Sequence, residues 1–439
     1  MGTRAFSAIL NLIIAVVISQ YLGTIGKGQQ GLIIATISYI LVFSNLIGGS
    51  TLVYLAPRYG IQRLLLPSYL WTLLMSLAFF FILKFSKIIP ETFIVNICLL
   101  SILSSFISIH SNLLIGLEKI KTANLLNLIQ PVIILAVILL FFLAGGNLSI
   151  QSYFNALYFS FVIVLVLSFV LLRKNFTSTT SSTQSFIFLI KEMFRLGVLN
   201  QLAHIFQLLS FRMSYYWLGQ VYTEAEVGIF SNGTSLVESV WLISRSISLV
   251  QYSRIVNLKD KEQAQKLTLN LGKLSFVIGF IILLPMIFLP SSLYSFIFGE
   301  GFGDVRLVIQ SLAPGVLFLN LNFIISHYFS GTGKFYLNSM ASLAGLLIVI
   351  PLFSLMIPAY GLVGAGLASS ISYILTTLVI LGFFKKESGL RFKSFLINRD
   401  DFIQTKLLTK KSFKVLSEKS LEPSTFSGSN KLHIKRDRF

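Results

Sequence analysis

Apolar residues in this chain gather into long runs separated by short polar stretches. A run such as "LLNLIQPVIILAVILLFFLA" shows neither the alternation of a half-buried strand nor the one-sided stripe of a soluble helix. A hydrocarbon layer ~30 Å thick is crossed by ~20 residues of α-helix. On that measure the pattern predicts twelve spans, at 5–22, 31–55, 64–83, 93–117, 122–144, 152–172, 197–218, 227–250, 271–293, 305–329, 335–357 and 361–384. The fold class expected is an all-α polytopic membrane protein, because a transmembrane β-barrel needs short alternating strands. The first run lacks a small-residue cleavage site, and "QYLGTIGKGQQG" leads straight into the next one. It is therefore expected to be a span and not a cleaved signal.

The polar stretches fix an orientation. With the N-terminus in the cytoplasm, 29 of the 35 Lys and Arg fall on the cytoplasmic side. Only Lys27, Lys84, Lys87 and Arg306 fall in outer loops. This is a positive-inside distribution with both termini cytoplasmic, and it requires an even number of spans. The longest internal connection, 173–196, holds seven consecutive Ser/Thr residues, and its part from Phe186 to Leu196 is expected to form a short interfacial helix. It divides the chain into a six-helix lobe at 1–172, a linker at 173–196, a second six-helix lobe at 197–384 and a basic cytoplasmic tail at 385–439. "YLGTIGKGQQGLI" after the first span and "WLGQVYTEAEVGIF" after the seventh support parallel halves around a central cavity, as in many transporters. The tail carries 14 basic and 6 acidic residues and suits either an anionic leaflet surface or water.

Composition agrees. Of 439 residues, 55% are hydrophobic and 12% charged, with mean hydropathy +0.82. The net charge of +19 lies between and after the apolar runs, so it sets topology and does not call for nucleic acid. The one cysteine, Cys98, excludes an internal disulfide and a Cys-based metal cluster. No Walker loop, HExxH or spaced nucleophile and base occurs, and the outer loops are too short for a catalytic domain. No enzyme and no cofactor is expected.

Three charges remain inside spans: Arg212, Glu238 and Arg245. A charge there costs a few kcal/mol on insertion scales and is a functional candidate by default. Glu238 and Arg245 are seven positions apart, which puts them on one helical face about 10 Å apart along the axis. On the preceding span Gln201, His204, Arg212 and Tyr215 share a face, interrupted by Leu208. Arg212 is expected to pair with Glu238, and all three charges are expected to face the interior between the lobes. The alternative is an ion pair that only locks the helices together. His110 and His327 are weaker candidates. The Ser101, Ser104, Ser108 and Ser111 stripe and "YGLVGAGLASS" point to tight helix crossings.

"GIFSNGTSLVESVWLISRSISLVQYSRI" resembles the eighth-span region of bacterial polysaccharide flippases, in the multidrug/oligosaccharidyl-lipid/polysaccharide exporter superfamily. "YLGTIGKGQQGLI", "FGEGFGDVRLVIQSLAPGVLF" and "IPAYGLVGAGLASSISYI" resemble other parts of that family in the same order, over about residues 1–384. The resemblance implies two six-helix lobes working by alternating access in the cytoplasmic (inner) membrane. It implies movement of undecaprenyl-diphosphate-linked oligosaccharide (O-antigen-type) for surface polysaccharide synthesis. The implied site holds Arg212, Glu238, Arg245, His204, Gln201 and Tyr215. Partners would be the lipid-linked substrate, membrane lipids, and a polymerase and glycosyltransferases around a monomer, with H+ or Na+ coupling left open. One departure stands out: the first lobe carries no charge inside a span. The alternatives are a cation-coupled multidrug or metabolite antiporter of the same fold and a non-transport scaffold of a polysaccharide assembly complex.

Overall fold

A computed structural model describes residues 2–143, 149–176, 185–258 and 260–389. The Ser/Thr run at 177–183 and the tail beyond 389 lie outside the described residues. Among those described, all regular structure is helical: α1 (Gly2–Gly48), α2 (Ser50–Tyr59), α3 (Ile61–Ser86), α4 (Glu91–Gly116), α5 (Ile120–Leu143), α6 (Ile150–Arg173), α7 (Phe186–Val221), α8 (Glu224–Ser239), α9 (Trp241–Asn257), α10 (Lys261–Phe288), α11 (Ser291–Phe298), α12 (Val305–Gly331) and α13 (Phe335–Ser388).

Eight helical stretches are long and apolar enough to cross a membrane. Two of them, Phe6–Tyr59 and Phe335–Ser388, have 54 residues each. At 1.5 Å per residue such a stretch is about twice as long as a bilayer needs. Each breaks at a glycine with positive φ, Gly23 (φ 64°) in the first and Gly361 (φ 55°) in the second. A side chain would be strained at either point. Eight stretches with those two counted twice give ten passes. Helix α7 and the α8–α9 pair bring the number to the expected twelve. Helix α7 is interrupted by polar residues, and α8 and α9, with 16 and 17 residues, are each short of a full span and make one together.

Helix ends differ from the hydropathy edges for local reasons. Asp260 accepts hydrogen bonds from the Glu262 and Gln263 amides, so α10 begins well before its apolar run. A reciprocal Thr223/Glu226 capping box opens α8. The segment expected as a separate interfacial helix from Phe186 to Leu196 is instead the start of α7. Helix α13 runs four residues past the expected tail boundary. There Glu387 pairs with Lys334 at 2.7 Å and Lys261 at 3.5 Å, and it accepts the Tyr328 hydroxyl at 3.2 Å.

The buried apolar side chains form two clusters. One is built mainly on α1 to α6 and the first turns of α7. The other takes the second half of α1 and runs from the later part of α7 through α13. Small residues allow the close crossings within them. The Ser370 hydroxyl donates to the Ser311 carbonyl at 2.6 Å and accepts the Gly315 amide at 3.1 Å, so "GLVGAGLASS" seats α13 on α12. In the serine stripe of α4, Ser101 and Ser111 are buried and Ser108 donates to Asn45 at 3.1 Å. Buried His110 bridges Ser168 and Tyr69 and ties three helices together.

Candidate functional site

The cross-helix pair expected from the sequence is present. Both Arg212 terminal nitrogens donate to Glu238, Nη1 to Oε1 and Nη2 to Oε2, each at 2.7 Å. This two-pronged geometry is the strongest form of such a pair. It joins α7 to α8, and the Tyr215 hydroxyl stands 3.5 Å from Arg212 Nη1.

Arg212 and Tyr215 line a cavity of about 310 Å³ together with residues of α1, α5, α6 and α8. Lys27, which is only 4% exposed, lines the same cavity. The sequence reading placed Lys27 in an outer loop and left the first half of the chain without an intramembrane charge. In place of a loop, the stretch is helical apart from the break at Gly23, and Lys27 lies buried one turn into the second limb of α1. Its ammonium donates to Gln30 Oε1, and Gln30 Nε2 stands 3.4 Å from the Tyr153 hydroxyl. No carboxylate among the described residues forms an ion pair with Lys27. Glu238 is engaged by Arg212, so the partner of Lys27 is a neutral amide and not a carboxylate.

The signal that might have marked Lys27 was hidden by its neighbours. Glycines at 26, 28 and 31 imitate a turn, whereas Gly28 serves a helix crossing. A Cβ at Gly28 would lie 1.7 Å from the Glu224 carbonyl oxygen, and one at Gly228 would lie 2.1 Å from that of Thr24. The second limb of α1 and the start of α8 therefore touch backbone to backbone. Gln29 Nε2 donates to Glu224 Oε2 at 2.8 Å beside them.

The other candidates lie elsewhere. Arg245 does not face the same space as Arg212. At Val240, where α8 passes into α9, the backbone stays in the α-helical region (φ −61°, ψ −31°), and Arg245 beyond it lines a second cavity of about 410 Å³ walled by α7, α9, α12 and α13. This corrects the expectation that all three charges look into the space between two halves. His204 lines that second cavity, as does His327, which the sequence reading ranked low. Gln201 packs toward Gly49 at the α1–α2 joint and lines neither cavity. The polar stripe on α7 thus serves two cavities, whose residues His204 and Arg212 are about 12 Å apart along the helix.

No family model matches the chain. Among solved structures it resembles the lipid II flippase MurJ in an inward closed conformation, with 16% identity, coverage of 96% of this chain and 93% of that one, and a TM-score of 0.68. It also resembles an inward-facing multidrug resistance MATE family transporter of the MOP superfamily, with 14% identity, 87% and 94% coverage and a TM-score of 0.68. A MOP superfamily transporter from Pyrococcus furiosus, described as having a binding pocket of reverse polarity, follows at 12% identity, 88% and 93% coverage and a TM-score of 0.57. The fold is the one these flippases and transporters share, and the chain is a polytopic membrane protein of that architecture. In sequence it is 28% identical over 172 residues to the capsular polysaccharide biosynthesis protein CapF of Staphylococcus aureus. That match spans 38% of this chain and 43% of CapF, less than half of the relative's length.

Proposed function

We propose that the protein is a flippase that carries undecaprenyl-diphosphate-linked oligosaccharide from the cytoplasmic to the outer leaflet of the cytoplasmic membrane, for surface polysaccharide synthesis. The observation that carries this reading is that buried Lys27, with no ion-paired carboxylate among the described residues, lines one cavity together with Arg212. A buried charge is costly unless something compensates it, and the passenger's diphosphate would do so. Lys27 offers a compact point charge and Arg212 a planar fork, so a diphosphate would be held by both. As the anion arrives, Arg212 exchanges part of its bond to Glu238 for phosphate oxygens, and Glu238 takes the pair back when the passenger leaves. A cavity of about 310 Å³ is at the small end for a ligand site and fits a diphosphate group more readily than a whole oligosaccharide.

In this reading the halves at 1–172 and 197–384 rock against each other, with both termini in the cytoplasm. Glycosyltransferases act before the protein and a polymerase acts after it. The partial match to CapF supports a polysaccharide passenger. Likeness to a multidrug transporter supports a second reading, a cation-coupled antiporter. A cationic drug needs surplus acid, and the surplus here is basic.

Deletion and rescue of the gene test the proposal. Undecaprenyl-linked intermediates should accumulate in the inner leaflet on deletion, and the wild-type gene should clear them. Intact surface glycan together with new sensitivity to cationic drugs would replace this reading with the antiporter.

A further inference from the structure

The second cavity, walled by α7, α9, α12 and α13, has no place in the diphosphate site. Arg245 reaches into it with no salt bridge to any described acid. Its guanidinium lies 4.9 Å from the ring centre of Phe323 and 5.5 Å from that of Trp241. Aromatic faces steady a cation but leave its N–H groups free in the ring plane. No Asp or Glu lines the cavity, whereas His204, His327, Asn200 and Gln207 do.

Asn322, 3% exposed, lines the same wall. Its Oδ1 accepts the Ser326 hydroxyl at 3.2 Å, and its Nδ2 has no partner. On the opposite strip Asn338 Nδ2 donates to the Ser326 carbonyl and the Ser330 hydroxyl, and its buried Oδ1 has no partner. Buried amide atoms without partners are rare enough to need a reason. Here one is a donor and one is an acceptor, each on a residue that lines the cavity with Arg245. An anionic oxygen suits the first and a hydroxyl suits the second.

We infer that this cavity is a separate binding site for a sugar phosphate, with Arg245 and Asn322 on the phosphate and Asn338 and the histidines on the sugar hydroxyls. It rests on the flippase reading for its source, the sugar-phosphate end of a lipid-linked saccharide. About 410 Å³ is within the range of small-molecule sites and holds such a group. His204 precedes Arg212 by about two turns of α7, so the site lies nearer the end at which α7 begins and α12 finishes. A passenger entering from that end meets Arg245 before it meets Arg212 and Lys27.

The test is isothermal titration of the purified full-length protein in phosphatidylcholine nanodiscs with glucose 1-phosphate, glucose and glycerol 1-phosphate. Wild type should bind glucose 1-phosphate saturably and at least tenfold more tightly than the other two. Arg245→Gln should weaken it at least tenfold, since a charge-assisted hydrogen bond is lost. Asn322→Asp, nearly the same shape, should weaken binding of the anion by putting a carboxylate on the wall of the same cavity. Lys27→Gln should remove only binding at the Lys27 and Arg212 cavity and leave the Arg245-dependent binding in place. Absence of saturable binding, equal binding of glucose, or loss in Lys27→Gln with none in Arg245→Gln would overturn the inference. Equal binding of glycerol 1-phosphate would overturn its sugar part and assign the cavity to a lipid headgroup. Binding through Arg245 in a protein that clears no lipid-linked intermediate in cells would remove the flippase reading and leave the site standing. Clearance without such binding would do the reverse.

Discussion

At Lys27 the chain keeps a basic side chain where burial is nearly complete and no carboxylate among the described residues pairs with it. A residue held only for packing would be better as an apolar side chain of similar length. Lys27→Met should therefore leave thermal unfolding in detergent unchanged or raise stability by about 1 kcal/mol. A clear fall in Tm would make Lys27 a structural residue. Arg212 and Glu238 should behave in the opposite way. Arg212→Met or Glu238→Gln alone strands a charge or a polar group and should cost about 3–5 kcal/mol. The double change Arg212→Met with Glu238→Met should recover most of that loss, as read by a double-mutant cycle of Tm values. Equal and additive losses would mean that the pair is not coupled. The Arg212–Glu238 pair was legible because each charge interrupts an apolar run and helical spacing turns both inward. Lys27 was not, because its glycine-rich surroundings read as a loop and a positive-inside count places a lone base there without conflict.

Hydropathy reports where lipid is, and helices extend beyond it. Helix α10 starts on a charged turn capped by Asp260, and α7 starts at Phe186 in what read as linker. Arg245 enters a different cavity from Arg212 because the helices packed around it are different, α12 and α13 in place of α1, α5 and α6. Between elements, the crossing of the α1 second limb and α8 is set by Gly28 and Gly228 together. Gly228→Ala would drive a methyl group into the Thr24 carbonyl and force the two helices apart. The distance from position 29 to 224 reads this movement. In a Cys98→Ala background, disulfide formation between Gln29→Cys and Glu224→Cys should drop several-fold when Gly228→Ala is added. Unchanged cross-linking would show that the crossing tolerates a Cβ and does not hold the closed state.

Over the whole molecule, two cavities of basic surplus lie along one helix, α7, in a fold shared with lipid and drug transporters. The span count and the all-α class followed from run length alone. The division of the polar residues between two cavities did not, because it depends on how α7 packs against different partners along its length. The central claim is that a lipid-linked diphosphate crosses the membrane past Lys27 and Arg212. It is tested most directly in proteoliposomes loaded with undecaprenyl-diphosphate oligosaccharide, by the rate at which glycan from the inner leaflet becomes open to membrane-impermeant periodate. Wild type should expose the whole pool, and Lys27→Gln at equal reconstitution should slow exposure at least tenfold, the loss of one charge-assisted contact. The same rate in Lys27→Gln, or no exposure by wild type while it moves a cationic dye down a proton gradient, would contradict the claim.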